Sequence, residues 1–422
     1  MRIGLCLLSL VLSLVLSLVL SCVPSAPALD DPQPEDAVVV VDSSCSAAGC
    51  LKAVADLGVF TRSDIEPLLF AGVTIDNGYR VLSVEYATAG RSSTATVTLP
   101  VDLGGDEPSD GFPVVVNAHG TIGLDDPCRL SGTISGTGLA GLFGARGAIG
   151  IAPDYPGLGT PGLHSYLDAH SEGASVLDAV RAALLVARHE GVKANGRSAV
   201  VGLSQGGHAV LSAAALHHSY APELDIRAFA ATAPANVYEE QWRAGVAVAG
   251  PHLSQFALLS WSWAHDSGVD DSGIWAPALA PNIDGLLMTR CEWSPSFTDE
   301  PLLGEAISDV PADVFSAAFL DAFARGSWTG DFAFMGERFA TNRVIPFEQS
   351  APMRIWQGTA DVVVLPSMTQ ALVADLRAGG MEIDLTLVPA GTHIDTAFGF
   401  LAFPERATAQ SVAWIKDQLG SP

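Results

Sequence analysis

Apolar positions along this chain follow two rhythms. Short runs of consecutive, largely β-branched residues alternate with longer stretches in which apolar residues recur every three to four positions. Tyr79–Tyr86 and Ser93–Leu99 are alternating and β-branched and predict two strands joined by a hairpin at Ala89-Gly90. Pro113–Ala118, Ala148–Pro153, Ala199–Val201, Ile226–Thr232, Met353–Gln357 and Glu382–Val388 read as strands, several apolar throughout. Between them, Glu172–Arg188 places Ala174, Val176, Leu177, Val180, Ala183, Leu184 and Val186 on one broad helical face. His208–Leu216, Ser367–Ala378 and Glu405–Gln418 read as further helices. Strands buried on both faces, alternating with helices, predict an α/β fold with a mainly parallel sheet covered on both sides.

The rhythm stops between about Pro234 and Glu348. Trp242, Trp261, Trp263, Trp275, Trp293 and Trp328 fall there with many phenylalanines, so this stretch is expected to be an inserted, mostly helical cap. Its aromatic residues fit either an apolar acyl pocket or the cap's own core. At the other end, Arg2 precedes an almost wholly apolar run, Ile3–Leu20, the pattern of a secretion signal. Val19-Leu20-Ser21-Cys22 then resembles a bacterial lipobox, which makes Cys22 the lipidation candidate. Ordinary cleavage nearby and retention as a short membrane anchor are the alternatives. The expected organisation is a signal segment over 1–22, a proline-rich and acidic linker over 23–55, and one domain over 56–422 with the cap at 234–348.

Composition narrows the setting. The chain has 422 residues, 49% of them hydrophobic, enough for a large core. A formal net charge of −25 excludes nucleic acid as a natural partner and disfavours anionic membrane surfaces. With Cys6 in the signal and Cys22 at its end, Cys45, Cys50, Cys128 and Cys291 form an even set in an oxidising compartment. Three pairings are open to four cysteines. Cys45–Cys50 would close a small loop and leave Cys128–Cys291. No cysteine–histidine group has zinc spacing, and the acids Asp266, Asp270 and Asp271 are too irregular for a calcium loop. They read as solvated cap loop, and no metal or cofactor is expected.

The chemistry concentrates in Gly202-Leu203-Ser204-Gln205-Gly206-Gly207. A G-x-S-x-G turn between strand and helix is a nucleophile elbow. Its glycines, here Gly202 and Gly206, remove side chains that would collide as the chain reverses. The turn lifts the Ser204 hydroxyl above the sheet and leaves the Gln205 N–H at the positive end of a helix, where an oxyanion can be held. A base and an orienting acid are then required, in the order serine, acid, histidine. Asp361 follows a predicted strand and a glycine turn, and His393 lies on the loop after the last strand. Both fall at strand C-terminal ends, where catalytic groups gather in open α/β sheets. Asp384 and Asp395 are the competing acids. His208 is expected to pack against a neighbouring loop, His217 and His218 to form a solvated helix end, and His119 to brace the oxyanion loop. The Thr121 N–H, after His119-Gly120, is the expected second oxyanion donor.

Several separate motifs resemble the secretory lipase family, the lipase A-like α/β-hydrolases. They are Asp154-Tyr155-Pro156-Gly157-Leu158-Gly159, Ser165-Tyr166-Leu167, the helix through Leu177-Asp178-Ala179-Val180-Arg181, the elbow with its His208-Ala209 continuation, and Tyr220-Ala221-Pro222-Glu223-Leu224. The resemblance covers roughly residues 65 to 420. It implies an α/β-hydrolase fold and a secreted carboxylic ester hydrolase with a helical cap, and Ser204, Asp361 and His393 match the family triad. The oxyanion segment Asn117-Ala118-His119-Gly120-Thr121 departs from the aspartate-bearing turn of lipase A and follows the ordinary hydrolase His-Gly pattern. The expected protein is an exported monomer, secreted or tethered to a membrane through a lipid on Cys22, that cleaves small-molecule or lipid esters. A serine peptidase, a hydrolase of polymeric or carbohydrate esters, and a non-enzymatic binding protein on the same scaffold are the alternatives.

Overall fold

A computed structural model describes residues 38–68, 74–105, 107–250, 252–293, 302–396 and 407–420. The signal segment, Cys22 and the first part of the expected linker, residues 23–37, lie outside the described residues. Among those described, no helix is long and apolar enough to cross a membrane.

One ten-stranded sheet carries the domain. Its strands are β1 (Val38–Val40), β2 (Leu51–Phe60), β3 (Gly78–Thr88), β4 (Arg91–Val101), β5 (Phe112–Ala118), β6 (Ile149–Pro153), β7 (Ala194–Leu203), β8 (Asp225–Thr232), β9 (Met353–Gly358) and β10 (Ile383–Val388). The spatial order is β1-β2-β3-β4-β6-β5-β7-β8-β9-β10. From β1 to β4 and across to β6 the pairing is antiparallel, and from β6 to β10 it is parallel. The chain passes from β5 to β6 on one side, then returns to place β7 on the other. The direction of winding therefore reverses at β5, and at such a reversal open α/β sheets bind their ligands beyond the C-terminal ends of the strands, here β5 and β7.

Helices of eight residues or more are α1 (Ile134–Gly144), α2 (Ala169–His189), α3 (Gln205–Tyr220), α4 (Glu239–Val246), α5 (Leu253–Asp266), α6 (Ala317–Arg325), α7 (Ala333–Asn342), α8 (Pro366–Ala378) and α9 (Ala407–Leu419). Asp168 caps α2 by accepting the Ser171 N–H at 2.9 Å, and Arg188 and His189 sit in its last turn, complementing the helix dipole. Gly173 lets α2 lie directly on α3: a Cβ there would come within 2.8 Å of the Ser212 backbone. The core under the sheet is built from residues such as Val114, Val116, Ile151, Val180, Val200 and Leu211.

One expectation changes, and one open reading is decided. Within the stretch read as linker, Val38–Val40 and Leu51–Ala55 already belong to the sheet, because β1 pairs with β2 and β2 with β3. The Cys45–Cys50 disulfide closes the turn between β1 and β2 and compensates for the polar residues there. The aromatic cap residues mostly form a core of their own. Trp263, Phe315, Phe319 and Phe323 are fully buried, with Trp242, Trp261 and Trp275 packed among them. Trp293 is exposed.

The second disulfide joins Cys128, on the loop after β5, to Cys291 in the cap, 163 residues on. Removing a cross-link over so long a loop frees the unfolded chain by up to about 5 kcal/mol on the chain-entropy account. A Cys128→Ser/Cys291→Ser variant should therefore lose several kcal/mol in urea unfolding; a loss under about 1 kcal/mol would contradict a structural role.

Candidate active site

Ser204 is the residue between β7 and α3, and its backbone is held at φ 58°, ψ −116°. A non-glycine residue with positive φ is strained and persists only where its surroundings over-determine it. Here they do. The Ser204 N–H donates to the Thr232 carbonyl at 3.0 Å, and the Ser204 carbonyl accepts from His208 N at 3.0 Å and Ala235 N at 2.9 Å. A Cβ on Gly202 would strike the Gly206 backbone, and one on Gly206 would strike the Ala118 carbonyl. At Gly207 it would lie 2.7 Å from Pro234 Cα.

The neighbouring strands bring the other groups to the same end of the sheet. Ala233 N bonds to the Trp356 carbonyl at 2.8 Å, and Thr359 N to the Val388 carbonyl at 3.0 Å. The loops after β8, β9 and β10 therefore start level with one another. Asp361 follows β9 and His393 follows β10, and His393 Nδ1 lies 2.8 Å from Asp361 Oδ2. The buried Asp361 carboxylate also accepts Val363 N at 2.9 Å, Val364 N at 3.0 Å and Gln357 Nε2 at 3.1 Å. Four donors thus fix its orientation. Because Nδ1 faces a carboxylate, it carries the imidazole proton, and Nε2 is left with the lone pair of a base. Among the described residues, Ser204 Oγ makes no hydrogen bond with His393; such contacts tighten when substrate binds.

The competing acids have other tasks. Asp384 is exposed and pairs with Arg354. Asp395 Oδ2 accepts the Thr392 N–H at 2.8 Å and the Thr392 hydroxyl at 2.9 Å, which shapes the His393 turn.

Gln205 opens α3, so its N–H has no carbonyl within the helix to bond. Gly120 crosses close by, with Ser204 Cβ 3.5 Å from where a Gly120 Cβ would be, which sets Thr121 on the rim of the elbow. Thr121 Oγ1 bonds to Tyr166 OH at 2.8 Å. His119 Nδ1 is 2.7 Å from the Gly120 carbonyl, and Tyr155 OH donates to the His119 carbonyl at 2.9 Å. Asp154 accepts Leu130 N at 2.7 Å, Ser131 N at 3.1 Å and the Thr94 hydroxyl at 2.8 Å, so it pins the loop beyond. The Asp-Tyr pair of the first motif is thus a brace for the segment facing Ser204.

Other histidines depart from expectation. His208 bonds to the buried Glu172 at 2.8 Å. His217 is buried rather than solvated, held by Ser350 Oγ at 2.6 Å and the Leu224 carbonyl at 3.1 Å, because α3 packs its last turn against the chain leading into β9. His218 is exposed, as expected. Sequence reading missed Glu172 and Gln357; the signal for Gln357 was a polar residue closing an apolar strand, whereas Glu172 lies among His170, Ser171, Gly173 and Ser175 and carried no such signal.

Among the described residues, one group has a composition suited to a metal: ligand atoms of His265, Asp271 and Asp284, all in the cap, lie within 4.8 Å of one another. Trp261 Nε1 donates to Asp284 at 2.8 Å, and Trp275 Nε1 to Asp271 at 2.7 Å, so Asp271 is tied into the cap rather than solvated. A surface groove of about 920 Å³, lined by Met353, Arg354, Asp384 and Trp414 among others, lies at the N-terminal ends of β9 and β10. That is the wrong end of the sheet for the Ser204 chemistry.

Burial pushes the His164 imidazole down to about 3 and lowers His119 in the same direction. The folded chain holds both rings neutral, whereas the unfolded chain protonates them near their ordinary pKa of about 6.5. Their contribution to stability is present above that value and is lost as pH falls through it towards 3. A His164→Asn variant should accordingly show a shallower decline of unfolding free energy between pH 7 and pH 4 than the wild type, measured by urea titration; equal slopes would contradict a neutral buried ring.

The comparisons with known proteins agree with this fold. A secretory lipase family model matches residues 139–243. No curated protein matches the sequence. Among solved structures, a hydrolase of Legionella pneumophila, itself described only as putative, is similar with a TM-score of 0.73 at 19% identity, over 88% of this chain and 98% of that one. The rice cell wall degrading esterase LipA of Xanthomonas oryzae has a TM-score of 0.69 at 19% identity, again over 88% and 98%. Candida antarctica lipase A in its closed state has a TM-score of 0.62 at 15% identity, over 94% and 87%. The resemblance to the secretory lipase family therefore holds: the family's model matches the segment that carries the elbow, and the fold around it is the one shared by these lipases and esterases.

Proposed function

We propose that this protein is an exported serine hydrolase that cleaves carboxylic esters through an acyl-enzyme. The observation that carries the reading is the Asp361–His393 hydrogen bond of 2.8 Å at the end of the sheet that also carries Ser204 in elbow conformation. The family match and the lipase and esterase neighbours support an ester hydrolase. In the proposed sequence, His393 Nε2 takes the proton of Ser204 Oγ as the oxygen attacks the ester carbonyl. Asp361 holds the imidazole in the required tautomer and stabilises the imidazolium. The N–H groups of Gln205 and Thr121 receive the oxyanion. As the tetrahedral adduct collapses, His393 returns the proton to the leaving alkoxide. Water then repeats the attack on the acyl-enzyme and releases the acid and free Ser204.

An apolar acyl or alcohol part fits the surroundings. Val362, Val363 and Leu365, beside Asp361, and Ile394, beside His393, are exposed at 76%, 39%, 47% and 55%, so the two loops carry an apolar rim. The cell wall degrading esterase among the neighbours favours a second reading, an acyl ester on a polymer. The signal-like N-terminus and two disulfides support export, with a lipid on Cys22 as the proposed tether.

Ser204→Ala should abolish hydrolysis of p-nitrophenyl esters and labelling by a fluorophosphonate. Undiminished turnover would remove the assignment. Asp361→Asn should leave the fold intact and lower kcat by roughly three to four orders of magnitude, by disturbing the tautomer. A series of acyl chain lengths, run beside an acylated polysaccharide, separates the two substrate readings.

A further inference from the structure

Behind the elbow lies a buried polar chain for which the proposed reaction has no direct use. Glu172, on α2, is wholly buried. Its Oε2 meets His208 Nδ1 at 2.8 Å, and its Oε1 accepts Gln205 Nε2 at 2.7 Å and Leu167 N at 2.9 Å. Gln205 Nε2 also lies 2.9 Å from His164 Nε2. The His164 ring is neutral and bonds to the Pro156 carbonyl through its other nitrogen, so its Nε2 is the acceptor. The Gln205 amide is therefore clamped between a carboxylate and an imidazole.

Both clamps reach the cap. His208 Nε2 is 3.1 Å from the carbonyl of Asn342, the last residue of α7, and Asn342 Oδ1 accepts the Ala169 N–H at 3.0 Å. The His164 carbonyl accepts the Ser262 hydroxyl of α5 at 2.8 Å. On the other side, the Ser204 carbonyl receives two N–H groups, one of them from His208. That carbonyl and the Gln205 N–H belong to one planar peptide unit. Hydrogen bonds pin the plane at its oxygen, and the anchored side chain pins the residue at its nitrogen.

A desolvated carboxylate is costly, and an apolar residue would pack α2 against α3 at lower cost. What a carboxylate adds is direction: it dictates where the Gln205 side chain sits. We propose that Glu172, partnered by His208, is a positioning residue that holds the Gln205 backbone N–H on the developing oxyanion and ties it to the cap. The proposal rests on the reading of Ser204 as nucleophile and Gln205 as donor.

Its test compares variants of the whole mature protein. Glu172→Met keeps the volume and releases Gln205. Glu172→Gln can satisfy every partner: its oxygen accepts Gln205 and Leu167, and its NH₂ donates to His208 Nδ1 once that nitrogen gives up its proton, while Nε2–H still faces the Asn342 carbonyl. Misplacing one oxyanion donor should lower kcat by about 10- to 100-fold. The Met variant is expected to show that loss with KM unchanged within about two-fold, since the donor acts only on the transition state. A trifluoromethyl ketone, which adds Ser204 Oγ to its carbonyl and leaves an oxyanion, should bind more weakly by the same factor. Glu172→Gln should retain activity within about three-fold.

Gln205→Leu releases the clamp from the other side and carries the test if Glu172→Met does not fold. It should give the same loss, and the double variant no more than either single variant. A loss confined to KM, unchanged ketone affinity, or additive losses would overturn the proposal. Failure of the underlying reading looks different: the wild type would then take no fluorophosphonate label at Ser204.

Discussion

The structure depends on one close approach of backbone to backbone. Where β7 turns into α3, Gly206 lies against the carbonyl of Ala118 at the end of β5, and Gly202 lies against Gly206. Neither position has room for a Cβ. This contact sets the first turn of α3 beside the loop after β5, and it holds Ser204 at positive φ. The candidate groups at this end of the sheet are carried by rigid elements: Gly120 and Thr121 follow β5, Asp361 follows β9 and His393 follows β10. The strain at Ser204 is tolerated because its N–H and carbonyl are both bonded to neighbouring backbone.

Around that contact the chain buries an unusual amount of polar chemistry and satisfies most of it. Asp154, Glu172, Asp361 and Gln357 are almost wholly buried, and each makes at least three hydrogen bonds. Such networks fix geometry where apolar packing alone would leave latitude. The same device couples the cap to the site. The cap has its own aromatic core, yet it meets the site through the Cys128–Cys291 disulfide, the Ile122 carbonyl that accepts Glu292 N at 2.9 Å, and the Ser262 and Asn342 contacts. Burial raises the Glu292 carboxyl on that path to about 7.

Much of this was legible before any fold was known. The parallel strands announced themselves as apolar runs, and the elbow as glycines flanking a serine between strand and helix. The pairing of Asp361 with His393 was legible from their order and from their places just past strand ends, where an open sheet presents its side chains. The first two strands were not legible. Leu51–Phe60 sits near the margin of the sheet with only Leu51 and Val54 of its ten residues buried, so its pattern is weak, and its outer partner is only three residues long. The tryptophans of the cap were visible, but whether they lined a pocket or formed a core depended on which faces met.

The sequence by itself determined the sheet, the place of the cap and the order of serine, acid and histidine, since each rests on local periodicity or on spacing along the chain. Only the tertiary structure decided that Asp361 and not Asp384 or Asp395 meets His393, that the cysteines pair as Cys45–Cys50 and Cys128–Cys291, and that Glu172 reaches both His208 and Gln205. These are contacts between residues far apart in the chain or on different elements. They follow from the register of parallel strands and from the depth to which α2 sinks onto α3 at Gly173, and neither quantity is written in any local stretch of residues.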